Sequence, residues 1–265
     1  MNEFAKVRRS ARQWMAGVAI FAATAAVWAQ GQPPGSPAPS ARERAPYDLT
    51  GNWVSIVSED WRWRMLTPPR GDFSSVPLTP AGREVALGWD LEADLIQGNA
   101  CRPFGAGGIM RVPGRLQIRW QGDDMLRIDT DAGTQTRLLH FGDFAPSAEP
   151  TWQGNSVATW EMVGAVRGRP PTGGSLKVVT TGVRMGYVRW NGLPYSEDAV
   201  ITEYFDRHTA FDQDWFTVTT VIEDPLYFNQ PFITSSHFRK EPDDSQWNPT
   251  PCVTDAPVAE PLESD

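Results

Sequence analysis

The chain has 265 residues, a net charge of −8, two cysteines and three histidines. Phosphate binding needs clustered cations, so this acidic balance disfavours DNA, RNA and anionic lipid as partners and says little about a neutral small molecule. Twelve Trp and twelve Phe are many for this length; such side chains fill cores and line small-molecule pockets.

Residues 1–29 carry a basic start (Lys6, Arg8, Arg9, Arg12), an apolar run from Trp14 to Trp28, and short residues at Val27 and Ala29 before Gln30. That layout predicts a secretory signal peptide. The run is short of the roughly 20 apolar residues a membrane span needs. An uncleaved anchor is the alternative, and Arg8-Arg9 is an incomplete twin-arginine motif. The expected location is periplasmic or secreted, with no membrane partner once the leader is cleaved. Loss of the leader's four Lys/Arg and one Glu takes the remainder to a charge near −11. Residues 30–46, rich in Pro, Ser and Gly, predict a flexible linker. A single β domain is expected over 47–254, and the acidic tail 255–265 is expected to be disordered. Cys101 and Cys252 predict a disulfide, the default for one pair in an oxidising compartment; a reactive thiol is the alternative.

The domain opens with a strand from Leu49 to Val57, then a long aromatic and proline-bearing loop from Trp61 to Val76. Thr79-Pro80 starts the one expected helix, with Thr as N-cap and Pro at the first helical position, ending near Asp94 or Leu95. After Cys101 the pattern changes to short strands divided by turn residues. They are expected at Leu116–Trp120, Met125–Thr130, Thr134–Phe141, Ser156–Val163, Leu176–Val183, Met185–Trp190, Val200–Arg207, Phe216–Glu223 and Phe232–Arg239. Asn191-Gly192 is a tight-turn signal. A succession of strands without intervening helices must hide its two edges, and closure does so. The expected fold is therefore mainly β, an antiparallel meander closed as a lipocalin-like barrel with one helix; a β-sandwich is the alternative.

Several residue groups are candidates for chemistry. On the strand through Val200–Arg207, alternation puts Tyr204, Asp206 and His208 on one face and Glu203, Phe205 and Arg207 on the other. An Asp that orients a His suits a general base, and a nearby Tyr suits an acid or oxyanion donor; a polar, ion-paired outer face is the alternative. Trp61-Arg62-Trp63-Arg64, if extended, turns two tryptophans one way and two arginines the other. Such a stretch could lid an apolar pocket, with Arg62 or Arg64 fixing a polar substituent; an aromatic loop that plugs a barrel end for stability is the alternative. Trp53 and Trp160 complete the candidate wall. Glu223-Asp224-Pro225 reads as a turn cap. Gly105-Ala106-Gly107-Gly108 lacks the Lys-Ser/Thr of a phosphate loop and is expected to be a flexible turn. His140, His208 and His237 lack metal-binding spacing, so no metal and no cofactor is expected.

Gly51-Asn52-Trp53 in a first strand resembles the Gly-x-Trp signature of lipocalins. That resemblance implies a Trp closing one barrel end beneath an Arg from a late strand, a part open to Arg239. Over most of its length the chain also resembles a widespread group of secreted bacterial proteins with no established reaction. The blocks that carry this are LTGNWVSIVSEDWRWRM, ACRPFGAGGIMRVPGRL, TWQGNSVATWE, RWNGLPYSEDAVITEYFDR and EDPLYFNQPFITSSHF. The expected function is binding of a small apolar or aromatic molecule. A cofactor-independent isomerase, hydratase or hydrolase using the same pocket, and a cell-envelope interaction module, are the alternatives. Oligomeric state cannot be read from these residues.

Overall fold

A computed structural model describes residues 38–164 and 173–252. The chain divides into Met1–Ala38 and Pro39–Asp265, and the fold described here is that of the second unit. The expected leader and acidic tail lie outside the described residues. Among the described residues no helix is long and apolar enough to cross a membrane.

Among the described residues eleven strands form: β1 (Gly51–Ile56), β2 (Arg115–Trp120), β3 (Met125–Thr130), β4 (Thr136–Phe141), β5 (Asn155–Val163), β6 (Gly173–Thr181), β7 (Gly186–Arg189), β8 (Leu193–Tyr195), β9 (Val200–Ala210), β10 (Gln213–Glu223) and β11 (Phe232–Glu241). Nine of them close a barrel in the order β1-β11-β10-β9-β6-β5-β4-β3-β2. β1 is bonded to β11 on one side and β2 on the other, so no edge is left open and the sandwich is set aside. The ring is antiparallel except between β4 and β5, which run parallel. An odd number of strands cannot alternate direction all the way round a closed ring, so a strict meander is impossible and one parallel pair is required. Gly154 leads into β5 at φ +61°, where a Cβ would sit 2.6 Å from the Thr181 carbonyl oxygen, so the chain needs glycine there.

The expected strand Met185–Trp190 does not join the barrel. It becomes β7, paired only with β8 in a separate hairpin that turns at Asn191-Gly192. Among the described residues three short α-helices form where one helix was expected: α1 (Trp61–Arg64), α2 (Pro80–Leu87) and α3 (Leu91–Ile96). Thr79 caps α2 as read, its hydroxyl oxygen accepting the Gly82 N–H at 3.1 Å. The helix stops at Gly88, and Asp90 starts the next by accepting the Ala93 N–H at 3.1 Å.

The lumen is filled. Trp53 is 0% exposed and meets Phe216 edge-on at 4.7 Å; Phe216 stacks on Phe238 at 4.8 Å. Trp160 stacks with Phe141 and meets Tyr47 edge-on. Across the interior, Arg137 of β4 donates two hydrogen bonds to Glu203 of β9, at 3.0 and 2.5 Å, with both side chains 0% exposed. Part of the expected linker is structural: from Pro39 the chain lies against the barrel, with Ala41 fully buried and its N–H donating to Asp124 at 2.7 Å. The disulfide forms as expected, Cys101 to Cys252 across 151 positions.

Candidate functional site

The residues expected to share one pocket are dispersed. Trp53 is a core pillar, and its indole N–H donates to the Leu49 carbonyl at 2.9 Å. The cation over its ring is Lys240, at 5.4 Å, rather than Arg239. Phe238 points inward, so alternation along β11 brings Lys240 to the Trp53 side and puts Arg239 on the opposite face. Trp160 is half-buried and packs against the core, its indole N–H donating to the Ala41 carbonyl at 2.9 Å. Tyr204, Asp206 and His208 share a face as alternation predicts, but that face is the outside of the barrel, because Ile201, Glu203 and Phe205 are the buried set. Asp206 accepts from the Ser175 hydroxyl at 2.6 Å, Lys177 lies over the Tyr204 ring, and the His208 ring nitrogen faces the Asp206 backbone carbonyl at 3.4 Å, not its carboxylate. The acid–base reading needed these three in a cavity, and the geometry gives it no support.

The stretch Trp61–Arg64 is helical, not extended. Asp60, at φ 52°, turns the chain sharply out of β1 and into α1. Trp61 is left 64% exposed, while Arg64 is driven inward to 3%. The Arg64 guanidinium donates to the Arg111 carbonyl at 2.8 Å and the Ser55 hydroxyl at 3.1 Å, and pairs with Glu59. Trp63 faces the same side and donates to Asp72 at 3.1 Å; the exposed Arg62 pairs with that carboxylate at 3.3 Å. These contacts hold α1 over a crevice lined by Trp63, Arg64, Pro103, Gly108, Arg111, Val112, Val188, Arg189 and Trp190. About 10 Å³ of it is open to the centre of a water molecule, roughly one water's worth. Gly105–Gly108, expected to be a flexible turn, is buried and packed against Tyr195 and Tyr187.

Three arginines meet there, all nearly buried: Arg64 and Arg189 at 3% and Arg111 at 5%. Arg111 pairs with Asp60 at 3.1 Å through one terminal nitrogen, while its other has no hydrogen-bond partner. Arg189, at the end of β7, has none at any of its three nitrogens. Its Cζ lies over the Trp63 ring, 4.5 Å from the centroid and within cation–π range. Counting Arg62, four guanidiniums face three carboxylates, Glu59, Asp60 and Asp72. Each carboxylate has its own arginine, which leaves Arg189 over. Burial pushes Arg64 and Arg189 down to about 10, helped at both by the charge of Arg111, so both stay cationic at neutral pH. Burial alone would raise Asp72, but hydrogen bonds from Ser74 and Trp63 and the charge of Arg62 hold it below its usual value.

Of the expected ligand wall, only Trp63 and Arg64 line this crevice; Arg62 and Trp61 sit at its outer side, Trp53 is in the core and Trp160 is packed against it. Arg111, Arg189 and Trp190 were missed. The signal available was an Arg-Trp pair directly before the Asn191-Gly192 turn, readable only once that hairpin is known to leave the barrel. His140 stacks on Phe144 at 4.1 Å and His237 bonds with Thr217 at 2.9 Å. Among the described residues no group of three or more His, Cys, Asp or Glu is placed to hold a metal ion. Comparison of the chain with family models, with curated proteins and with solved structures finds no match.

Proposed function

We propose that the protein binds a small molecule beside α1, its planar apolar or aromatic body over the mouth of the crevice and only a group of about one water's size entering it, and that it works outside the cytoplasm. The observation that carries this reading is the crevice itself: two tryptophans, Trp63 and Trp190, beside Val112 and Val188, with buried arginines at its base. A few convergent polar groups in an apolar wall is the usual composition of a ligand site. The packed lumen argues against a ligand held inside the barrel, where a lipocalin-type carrier would place it. The closed barrel supports the binding reading by fold analogy. An extracytoplasmic location draws support from the disulfide.

Tryptophan fluorescence tests the reading. Titration with indole, benzyl alcohol and benzoate is expected to give saturable quenching by at least one of them, lost in Trp63→Leu and Trp190→Leu and kept in Trp61→Leu. Absence of saturable quenching across the panel would end it, as would quenching that survives both crevice substitutions.

A further inference from the structure

We infer that Arg189 is the receptor for a carboxylate, so that the ligand is an organic monoacid whose anionic end enters the crevice and whose planar body lies against the tryptophans. This rests on the crevice being the binding site. A guanidinium carries five N–H donors and no acceptor. In the crevice three nitrogens of Arg189 and one of Arg111 lack any hydrogen-bond partner although both side chains are more than nine-tenths buried. Taking a cation out of water is costly unless an anion and hydrogen bonds replace the lost hydration. Every other arginine of the cluster has its carboxylate; Arg189 does not, and among the described residues no acid lies within ion-pairing distance of it. The site as built is one negative charge and several acceptors short of balance.

The shape of that deficit narrows the ligand. The Arg189 guanidinium, itself planar, lies over the Trp63 ring with its Cζ 4.5 Å from the centroid. Such a fork gives two parallel N–H bonds to a carboxylate or to a phosphate, so size decides between them. The open volume admits a group little larger than a water, which suits one end of a carboxylate better than a tetrahedral phosphate. One surplus cation calls for a monoanion. A bound water would satisfy some donors but would leave the charge uncompensated.

The test is calorimetric titration of the full chain at low salt with three probes: benzoate, benzyl alcohol and inorganic phosphate. Benzoate is expected to bind about tenfold or more tighter than benzyl alcohol, the scale of a charge-assisted hydrogen-bonded pair. In Arg189→Gln the preference is expected to collapse to within about threefold. Arg189→Lys, which keeps the charge if the glutamine variant fails to fold, is expected to retain a weakened preference because a lysine lacks the planar fork. Equal binding of benzoate and benzyl alcohol by the unaltered protein would overturn the inference while leaving the crevice reading intact. Binding of neither would overturn the inference, and the crevice reading with it if indole also fails to bind. Phosphate bound more tightly than benzoate would overturn the carboxylate assignment, and a benzoate preference that persists in Arg189→Gln would overturn the role of Arg189.

Discussion

The ion pair inside the barrel makes the sharpest stability prediction. Arg137 and Glu203 lie on strands separated by β5 and β6 in the ring, so their side chains meet across the lumen. Both are 0% exposed, and Glu203 supplies the acceptors for both terminal nitrogens of Arg137 while its Nε has no partner. Glu203→Gln keeps the shape and removes the charge. With charge centres near 4 Å, the lost attraction is about 4 kcal/mol at an effective dielectric of 20, in line with the roughly 3–5 kcal/mol seen when one partner of a buried pair is removed. A domain is stable by only about 5–15 kcal/mol, so this one substitution removes a large part of the total. The double substitution Arg137→Met with Glu203→Leu is expected to behave oppositely. It removes both desolvation penalties, so the result lies between no change and about 4 kcal/mol of added stability. Urea unfolding followed by tryptophan fluorescence reads both variants. A Glu203→Gln midpoint unchanged within error, or a double variant as unstable as the single, would refute the reasoning.

Other outcomes follow from the same geometry. Cys101→Ser with Cys252→Ser opens a loop spanning 151 positions, which in the chain-entropy treatment lowers stability by about 5 kcal/mol; an unchanged urea midpoint would contradict it. The β9–β10 hairpin turns through Phe211 and Asp212, both at positive φ, with Phe211 90% exposed. Replacing the pair by Asn-Gly is expected to raise stability by about 1–2 kcal/mol, read as a higher melting temperature, because both residues pay for a left-handed backbone that Gly and Asn tolerate. Asp72 titrates lower in the folded chain than when unfolded, so its grip on Trp63 is fully present above about pH 4 and is lost as pH falls through its depressed value. Fluorescence-monitored stability should therefore drop in acid, and Asp72→Asn should lose part of that dependence. His208→Ala and Asp206→Asn, on the outer face, are expected to shift stability by no more than about 0.5 kcal/mol and to leave ligand titration unchanged; a large loss of binding would show that the outer face takes part.

The barrel was legible because its devices are local. Alternation fixed which residues of β9 share a face, Thr79-Pro80 marked a helix start, and Asn191-Gly192 marked a turn. What alternation cannot say is which face points inward when both carry charge: Glu203 is buried because Arg137, 66 positions away, neutralises it. The parallel β4–β5 pair follows from the parity of a closed ring, which no single strand reveals. The stretch Trp61–Arg64 alternates like a strand, yet Asp60's left-handed turn and the Glu59 and Asp60 ion pairs wind it into a helical turn. The crevice was hidden for the same reason. Its walls come from α1, from the loop before β2 and from β7, and only the departure of β7 from the sheet brings Arg189 to Trp63.

The most direct measurement is a crystal structure of the protein grown with benzoate at saturating concentration. The account predicts the ring beside Trp63 and Trp190, the carboxylate on the Arg189 guanidinium, and an unchanged, filled lumen. Benzoate lodged inside the barrel, or a saturated crystal with an empty crevice, would contradict it.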